Sequence, residues 1–242
     1  MKGVWGALGA GALELLFPSR ANCMGCGDPL GADEGWLCAA CDRQLVPIAR
    51  MGINRCSRCG HPMGKAKRCK TCRDWPKEGV TLARCAYFYA PPISQMIRRM
   101  KYGGVWAMSE WMGTKLSDTM IAEGMEVPDV LVPVPMHKRR VLERGFNHAE
   151  KLCAALSCAS GIPCATGALL RVRRTRQQAR LSGNERRHNL DNAFRATDFV
   201  AGKRILLVDD VMTTGETCNQ CALALRAAGA LSVELIALAC AK

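Results

Sequence analysis

Aromatic residues are scarce in this 242-residue chain, with three Tyr, five Phe and five Trp making up 5% of it. A groove that grips a nucleic-acid strand by stacking successive bases needs a row of such rings, and composition announces none. Acid is also in short supply: 21 Asp and Glu face 34 Lys and Arg, for a net charge of +13. That balance favours an anionic partner, with a solvated basic face as the plain alternative. Only four histidines occur, and no His/Asp pairing stands out for acid–base work. No apolar run is long enough to cross a bilayer. Met1 to Phe17 comes nearest, but Glu14 interrupts it and no small-residue cleavage site follows, so a signal peptide is disfavoured. Residues 1–19 are expected to form an amphipathic N-terminal helix that packs on the protein or touches a membrane surface. The 49% hydrophobic content excludes wholesale disorder. The length suits one well-buried domain with a small appended module.

Cysteine is plentiful and unevenly placed. Eight of the fifteen fall in four C-x-x-C pairs: Cys23 with Cys26, Cys38 with Cys41, Cys56 with Cys59, and Cys69 with Cys72. Tetrahedral Zn²⁺ takes four thiolates, and two such knuckles supply them. The intervals suit neighbouring pairs sharing a metal, giving two structural zinc sites in residues 20–78. Interleaved pairing stays open, because spacing does not fix connectivity. Closed four-cysteine sites leave no position for substrate, and in a segment poor in large apolar residues the metal supplies most of the folding energy. The chain stays basic after eight thiolates are set against two Zn²⁺. Arg55, Arg58, His61, Lys65, Lys67, Arg68, Lys70 and Arg73 cluster around the second site, as a nucleic-acid contact or as solvated surface. The remaining cysteines, such as Cys153, Cys164, Cys218, Cys221 and Cys240, sit in apolar patterns and read as small buried hydrophobes.

From residue 80 to 242 the pattern alternates. Strands are expected at Leu82 to Tyr89, Val130 to Val134, Ala168 to Val172, Ile205 to Val208 and Val233 to Ala239. Helices are expected at Pro92 to Tyr102, Met108 to Glu123, Phe146 to Ser160 and Thr217 to Ala228. Such alternation predicts an α/β domain with an open parallel sheet covered by helices, binding ligands beyond the carboxyl ends of its strands.

The most informative stretch is Ile205-Leu-Leu-Val-Asp209-Asp210-Val-Met-Thr213-Thr214-Gly215-Glu-Thr217. Its apolar start reads as a doubly covered parallel strand. Gly215 is free to take positive φ, and three hydroxyls stand where a helix begins. Consecutive backbone N–H groups there converge on one spot with the positive helix end behind them, a site for a phosphate dianion. Two carboxylates at the strand tip, about one sugar-width away, can accept hydrogen bonds from vicinal hydroxyls and tolerate Mg²⁺. A capping role explains one acid, not two in tandem.

Two further segments are cationic. At the end of the Val130 strand, Val132-Pro-Val-Pro leads into His137, Lys138, Arg139 and Arg140, then Arg144-Gly-Phe-Asn147-His148. The prolines stiffen the exit, and three consecutive cations stand where a second anionic group can be held. Residues 171–187 contain Arg174, Gln178 and several more arginines. A loop of this kind can close over a polyanion, grip a phosphodiester backbone, or simply be a solvated linker.

The 205–217 segment resembles the phosphoribosyl pyrophosphate (PRPP) loop of type I phosphoribosyltransferases: an apolar run, two acids, then x-x-T-G-x-T. The resemblance implies that Thr213, Thr214, Gly215, Glu216 and Thr217, with Val211 and Met212 leading in, bind the 5′-phosphate. It implies that Asp209 and Asp210 bind the ribose hydroxyls and that Mg²⁺ accompanies PRPP. His137, Lys138, Arg139, Arg140 and Arg144, with Arg174 and Gln178 of the later loop, then face the pyrophosphate. Over nearly the whole chain the knuckles, Lys101-Tyr-Gly, V-P-V-P-x-H, R-G-F-N, R-x-R-x-T-x-x-Q, L-x-x-x-E-R-x-x-N and V-D-D-V-x-T-T-G recur in the order of the ComF competence-protein family, which includes GntX-type proteins. His148 departs from it, standing where R-G-F-N-Q is common. This resemblance implies a type I phosphoribosyltransferase-like sheet with helices on both faces and an N-terminal double zinc ribbon. It also implies a role in natural transformation. Single-stranded DNA and proteins of the DNA-uptake machinery are then the expected partners, in the cytoplasm or at the inner face of the membrane. The rival is an inactive DNA-binding or partner-docking adaptor that keeps the PRPP loop as a relic or regulatory site.

Overall fold

The computed structural model describes residues 22–31, 33–64, 67–103, 108–173 and 192–241. The expected N-terminal helix, Lys65, Arg174, Gln178 and most of the 171–187 loop lie outside them, as does the side chain of Arg144. In chain order the elements begin with α1 (Ala39–Gln44), α2 (Lys70–Arg73), β1 (Ala83–Phe88), α3 (Ile93–Tyr102) and α4 (Met108–Ala122). Then come β2 (Val130–Pro133), α5 (Lys138–Arg144), α6 (His148–Ser160), β3 (Leu169–Arg171) and β4 (Phe194–Ala196). The last three are β5 (Arg204–Met212), α7 (Glu216–Ala227) and β6 (Ser232–Cys240). None of the described helices is long and apolar enough to cross a membrane.

Two compact units form. One joins residues 22–46 with residues 90–103, and the other joins Pro47–Tyr89 with residues 108–241. The stretch 20–78 is thus divided, with its first four cysteines in the former unit and its last four in the latter. In the first unit, Arg99 of α3 donates to the carbonyl of Cys23.

The second unit is built on a four-stranded parallel sheet in the order β1-β6-β5-β2. Ile205, Leu206, Leu207 and Val208 of β5 are each no more than 1% exposed. A strand covered on both faces needs such a continuous apolar run. Helices α4 and α6 pack together over one face; α7 and the β3–β4 hairpin pack over the other. The approach of α4 to α6 is so close that a Cβ on Gly113 would lie 2.5 Å from the Ala155 carbonyl carbon. Cys56, Cys59, Cys72 and Trp75 belong to the same buried cluster as Ile205, Leu207, Leu225 and Leu235. The second ribbon therefore shares the core of the sheet.

Three details differ from the sequence expectation. The strand expected at Ala168 to Val172 joins no parallel sheet; β3 pairs antiparallel with β4 in a separate two-stranded sheet. β5 runs on through the acids to Met212, because β6 offers partners that far, with Asp209 opposite Ala237 and Met212 opposite Cys240. The cations at 138–140, where no element was expected, open a short helix. His137 caps it, its Nδ1 accepting from the Arg139 amide at 3.2 Å, and Gly145 closes it at φ +82°.

Candidate anion site and metal centres

Each ribbon brings four cysteine sulfurs within 4.8 Å of one another, Cys23, Cys26, Cys38 and Cys41 in one, Cys56, Cys59, Cys69 and Cys72 in the other. Neighbouring pairs therefore share a centre, and interleaved pairing is excluded. Two edges are 3.8 Å, from Cys26 Sγ to Cys38 Sγ, and 3.7 Å, from Cys59 Sγ to Cys69 Sγ. A tetrahedron with Zn–S bonds of about 2.3 Å has edges of about 3.8 Å, so the donor sets fit zinc. Amides support the sulfurs: Cys38 N donates to Cys23 Sγ and Cys69 N to Cys56 Sγ, both at 3.3 Å. Burial pushes the Cys23 thiol up, but the amides of Cys38, Cys26 and Gly25 outweigh it and bring the pKa down to about 6. The Cys72 thiol, then lesser neighbours, brings Cys59 down to about 5. Burial in turn pushes the Cys41 thiol up to about 12, and the Cys59 thiol pushes Cys72 up, so metal binding must displace the protons of these partners. Metal analysis of the purified chain is expected to give two zinc per molecule. A ratio of one or zero would refute the assignment.

The acids Asp209 and Asp210 lie near the carboxyl tip of β5, and successive strand residues face opposite sides. Asp209 is half-buried on the α7 side: Oδ1 accepts from the Asp210 amide at 2.8 Å, and Oδ2 lies 4.0 Å from Cys218 Sγ. Asp210 is 8% exposed. The two carboxylates bracket the strand tip. Beyond them Gly215 adopts φ +75° and is the N-cap of α7, with no side chain capping the helix. Among the described residues, no backbone carbonyl accepts from the amides of Thr213, Thr214, Gly215, Thr217 or Cys218. The Glu216 amide reaches Thr214 Oγ1 only at 3.5 Å. A twelve-residue helix thus presents open donors and the positive end of its dipole at one place.

The loop is held from behind by the second ribbon. Trp75 Nε1 donates to the Thr214 carbonyl at 3.3 Å, and a Cβ on Gly215 would fall 2.2 Å from Trp75 Cζ2. Asn219 Nδ2 donates to the Gly215 carbonyl at 3.2 Å, while its Oδ1 accepts from the Val80 amide at 3.0 Å. Arg58 fixes the 75–80 segment. Only 7% exposed, it donates to the carbonyls of Val80 and Pro76 at 2.8 and 2.7 Å, and its guanidinium lies 5.2 Å from the Trp75 ring centroid. Arg58 therefore leaves the surface basic cluster expected from sequence. Glu123, its side chain 4% exposed, takes Arg55 at 2.5 Å and Arg84 at 2.9 Å, tying ribbon to sheet once more.

Of the cationic residues after β2, Lys138 and Arg139 are exposed and Arg140 is half-buried. Arg139 pairs with Glu143 at 3.0 Å, an exposed i,i+4 contact of little energy. The exit of β2 is fixed by buried Asn147, whose Oδ1 accepts from the Ala149 amide and whose Nδ2 donates to the Val134 carbonyl. His148 is buried, its ring edge-on to Phe146 at 4.8 Å. Sequence reasoning did not single out Trp75 or Asn219. One signal was available for Trp75: a lone large ring just after the last knuckle of a module poor in such residues.

A double zinc ribbon domain model matches residues 12–73, and a phosphoribosyl transferase domain model matches residues 125–242. DNA utilization protein YhgH of Escherichia coli O157:H7 is 33% identical over 88% of this chain and 94% of its own length. Competence protein F of Haemophilus influenzae is 29% identical over 90% and 96%. Competence protein ComFC of Streptococcus pneumoniae is 30% identical over 85% and 88%.

Proposed function

Since the chain belongs to the ComF competence-protein family, we propose that the β5–α7 loop binds the 5-phosphoribosyl group of PRPP and that the protein serves DNA uptake. The carrying observation is the uncapped head of α7, with five amides that meet no described backbone acceptor, beside two acids at the strand tip. In this reading the amides of Thr213 to Thr217, with Val211 and Met212 leading in, take the 5′-phosphate. Asp209 and Asp210 take the ribose hydroxyls. Magnesium uses one or two carboxylates and fills its shell with phosphate oxygens and water, which these acids and a pyrophosphate provide. It would supply charge neutralisation on the leaving pyrophosphate. His137, Lys138, Arg139, Arg140 and Arg144, with Arg174 and Gln178, would hold that pyrophosphate.

Turnover would be displacement at C1 of the ribose through an oxocarbenium-like state. The C1–oxygen bond to pyrophosphate breaks as the bond to the acceptor forms. Cations that stabilise the leaving group carry most of such a reaction, so little acid–base help is required. The anionic partner that the net charge of +13 favours is, in this reading, single-stranded DNA reaching the cytoplasm with the DNA-uptake machinery. Calorimetric titration with PRPP and Mg²⁺ is expected to show binding that Asp209→Ala with Asp210→Ala weakens at least a hundredfold. Unchanged affinity in the double variant rejects the site.

A further inference from the structure

Two of the cysteines that the sequence presents as small buried hydrophobes are brought together by the fold. Cys153 of α6 is fully buried, and Cys164, in the segment after that helix, is half-buried. Their sulfurs lie 2.7 Å apart, well inside the 3.7 and 3.8 Å edges of the two metal centres, to which neither residue belongs. The backbone sets this approach. Residues 163–165 run along the outer edge of β2: the Leu131 amide donates to the Pro163 carbonyl and the Ala165 amide to the Leu131 carbonyl, both at 2.9 Å. Ser157 Oγ of α6 donates to the Ile162 carbonyl at 2.6 Å, tying the same segment to the helix. We propose that Cys153 and Cys164 are a modification site, closing to a reversible disulfide when the chain meets a two-electron oxidant of the peroxide class.

Exposure divides the roles. Cys164 can be reached from solvent, whereas Cys153 is covered. The hydrogen bond from Cys153 holds the Cys164 thiol below its usual range, and the same bond, then burial, pushes the Cys153 thiol up. Thiolate is the attacking form, so Cys164 reacts first. Its sulfur takes one peroxide oxygen as the O–O bond breaks, giving a sulfenic acid, and the hydroxide that leaves collects the proton Cys164 gave up. The Cys153 sulfur then bonds to the Cys164 sulfur, the S–O bond breaks, and the departing oxygen takes the Cys153 proton. Two electrons have passed from the sulfur pair to the peroxide, and two waters leave. Cys158 is exposed and stands five residues past Cys153, about 140° round the helix, so it faces away from the pair. The bond fastens α6 to the edge of β2, the strand whose exit leads to the cations at 138–140 and whose Val134 carbonyl already takes Asn147 Nδ2.

Mass spectrometry of the zinc-loaded full chain tests this. Trypsin cuts after Lys151 and Arg171, releasing residues 152–171 as one peptide that contains Cys153, Cys158 and Cys164. After hydrogen peroxide at a dose that leaves both zinc ions bound, alkylation in denaturant without reductant is expected to label this peptide once, on Cys158. Reduction beforehand should restore label on all of its cysteines. Cys158→Ser is expected to link as the natural chain does, whereas Cys164→Ala should leave Cys153 open to label. The inference is overturned if oxidation leaves every cysteine of the peptide labelled, if the link includes Cys158, or if it forms only after zinc is lost. Thermal melting separates a bond that suits the fold from one forced on it. The linked chain is expected to melt higher than its reduced form, because a closed loop restrains the unfolded chain. A linked chain that melts no higher overturns the site.

Discussion

Cys72→Ser is expected to lower the melting temperature of the sheet unit on the order of 10 °C and to remove ribose 5-phosphate binding, whereas Cys41→Ser does neither. Both variants should fall from two zinc to one. The asymmetry follows from packing. Cys72 is 1% exposed and shares the buried cluster of Leu207, Leu225 and Leu235, while Cys41 lies in the other compact unit. Zinc binding by such ribbons contributes folding energy outright, about 10 kcal/mol or more in isolated zinc-finger peptides. In the second ribbon that energy also keeps Arg58 on its four carbonyls, Trp75 against Gly215 and Arg55 on Glu123. Releasing the ribbon leaves the Glu123 carboxylate, its side chain 4% exposed, with one of its two guanidinium partners, and opens the core under Trp75. A loss of about 3–5 kcal/mol is in the range for breaking a buried network of this kind. At about 2–4 °C per kcal/mol for a unit of this size, the shift is readily seen by calorimetric melting. Equal effects from the two substitutions would falsify the claim that only the second ribbon is part of the sheet's core.

The sequence was most legible where one local rule decided the outcome. The four knuckles were readable because thiolate pairs at C-x-x-C spacing have little else to do in a segment so poor in core residues. β5 was readable because Ile205 to Val208 have no polar side, and the turn after it because Gly215 stands where only positive φ continues the chain. What local rules could not reach were contacts between distant residues. Trp75 meets Thr214 and Val80 meets Asn219 across 139 positions each, and no periodicity encodes either. The two ribbons look alike in spacing, so their division between two units was also hidden. β3 and β4 have three residues each, too few to show alternation. The helix at 138–144 starts with three cations at its positive end, against the dipole, so charge gave no sign of it. The capping His137 and terminal Gly145 decided otherwise. The candidate anion loop was legible as a motif, but the ribbon packed behind it was not.

Gly215→Ala is the second large effect, and it separates two costs that the motif alone merges. At φ +75° an alanine bears the left-handed penalty of about 1–2 kcal/mol. Its Cβ would also stand 2.2 Å from Trp75 Cζ2, with two more ring atoms within 3.1 Å. The ring cannot easily retreat, because Arg58 lies over it and its N–H is bonded to Thr214. Overpacking of this kind costs about 1–3 kcal/mol more. Either response, a shifted loop or a displaced ribbon, moves the amides of Thr213 to Thr217 apart. Ribose 5-phosphate affinity is therefore expected to fall at least tenfold, and stability by about 2–5 kcal/mol. Adding Trp75→Ala to Gly215→Ala removes the clash but not the backbone strain. In a double-mutant cycle the pair should recover part of the lost affinity, with a coupling of about 1 kcal/mol or more. Strict additivity would mean that ring and loop are not in contact, and that the phosphate cradle stands without the ribbon.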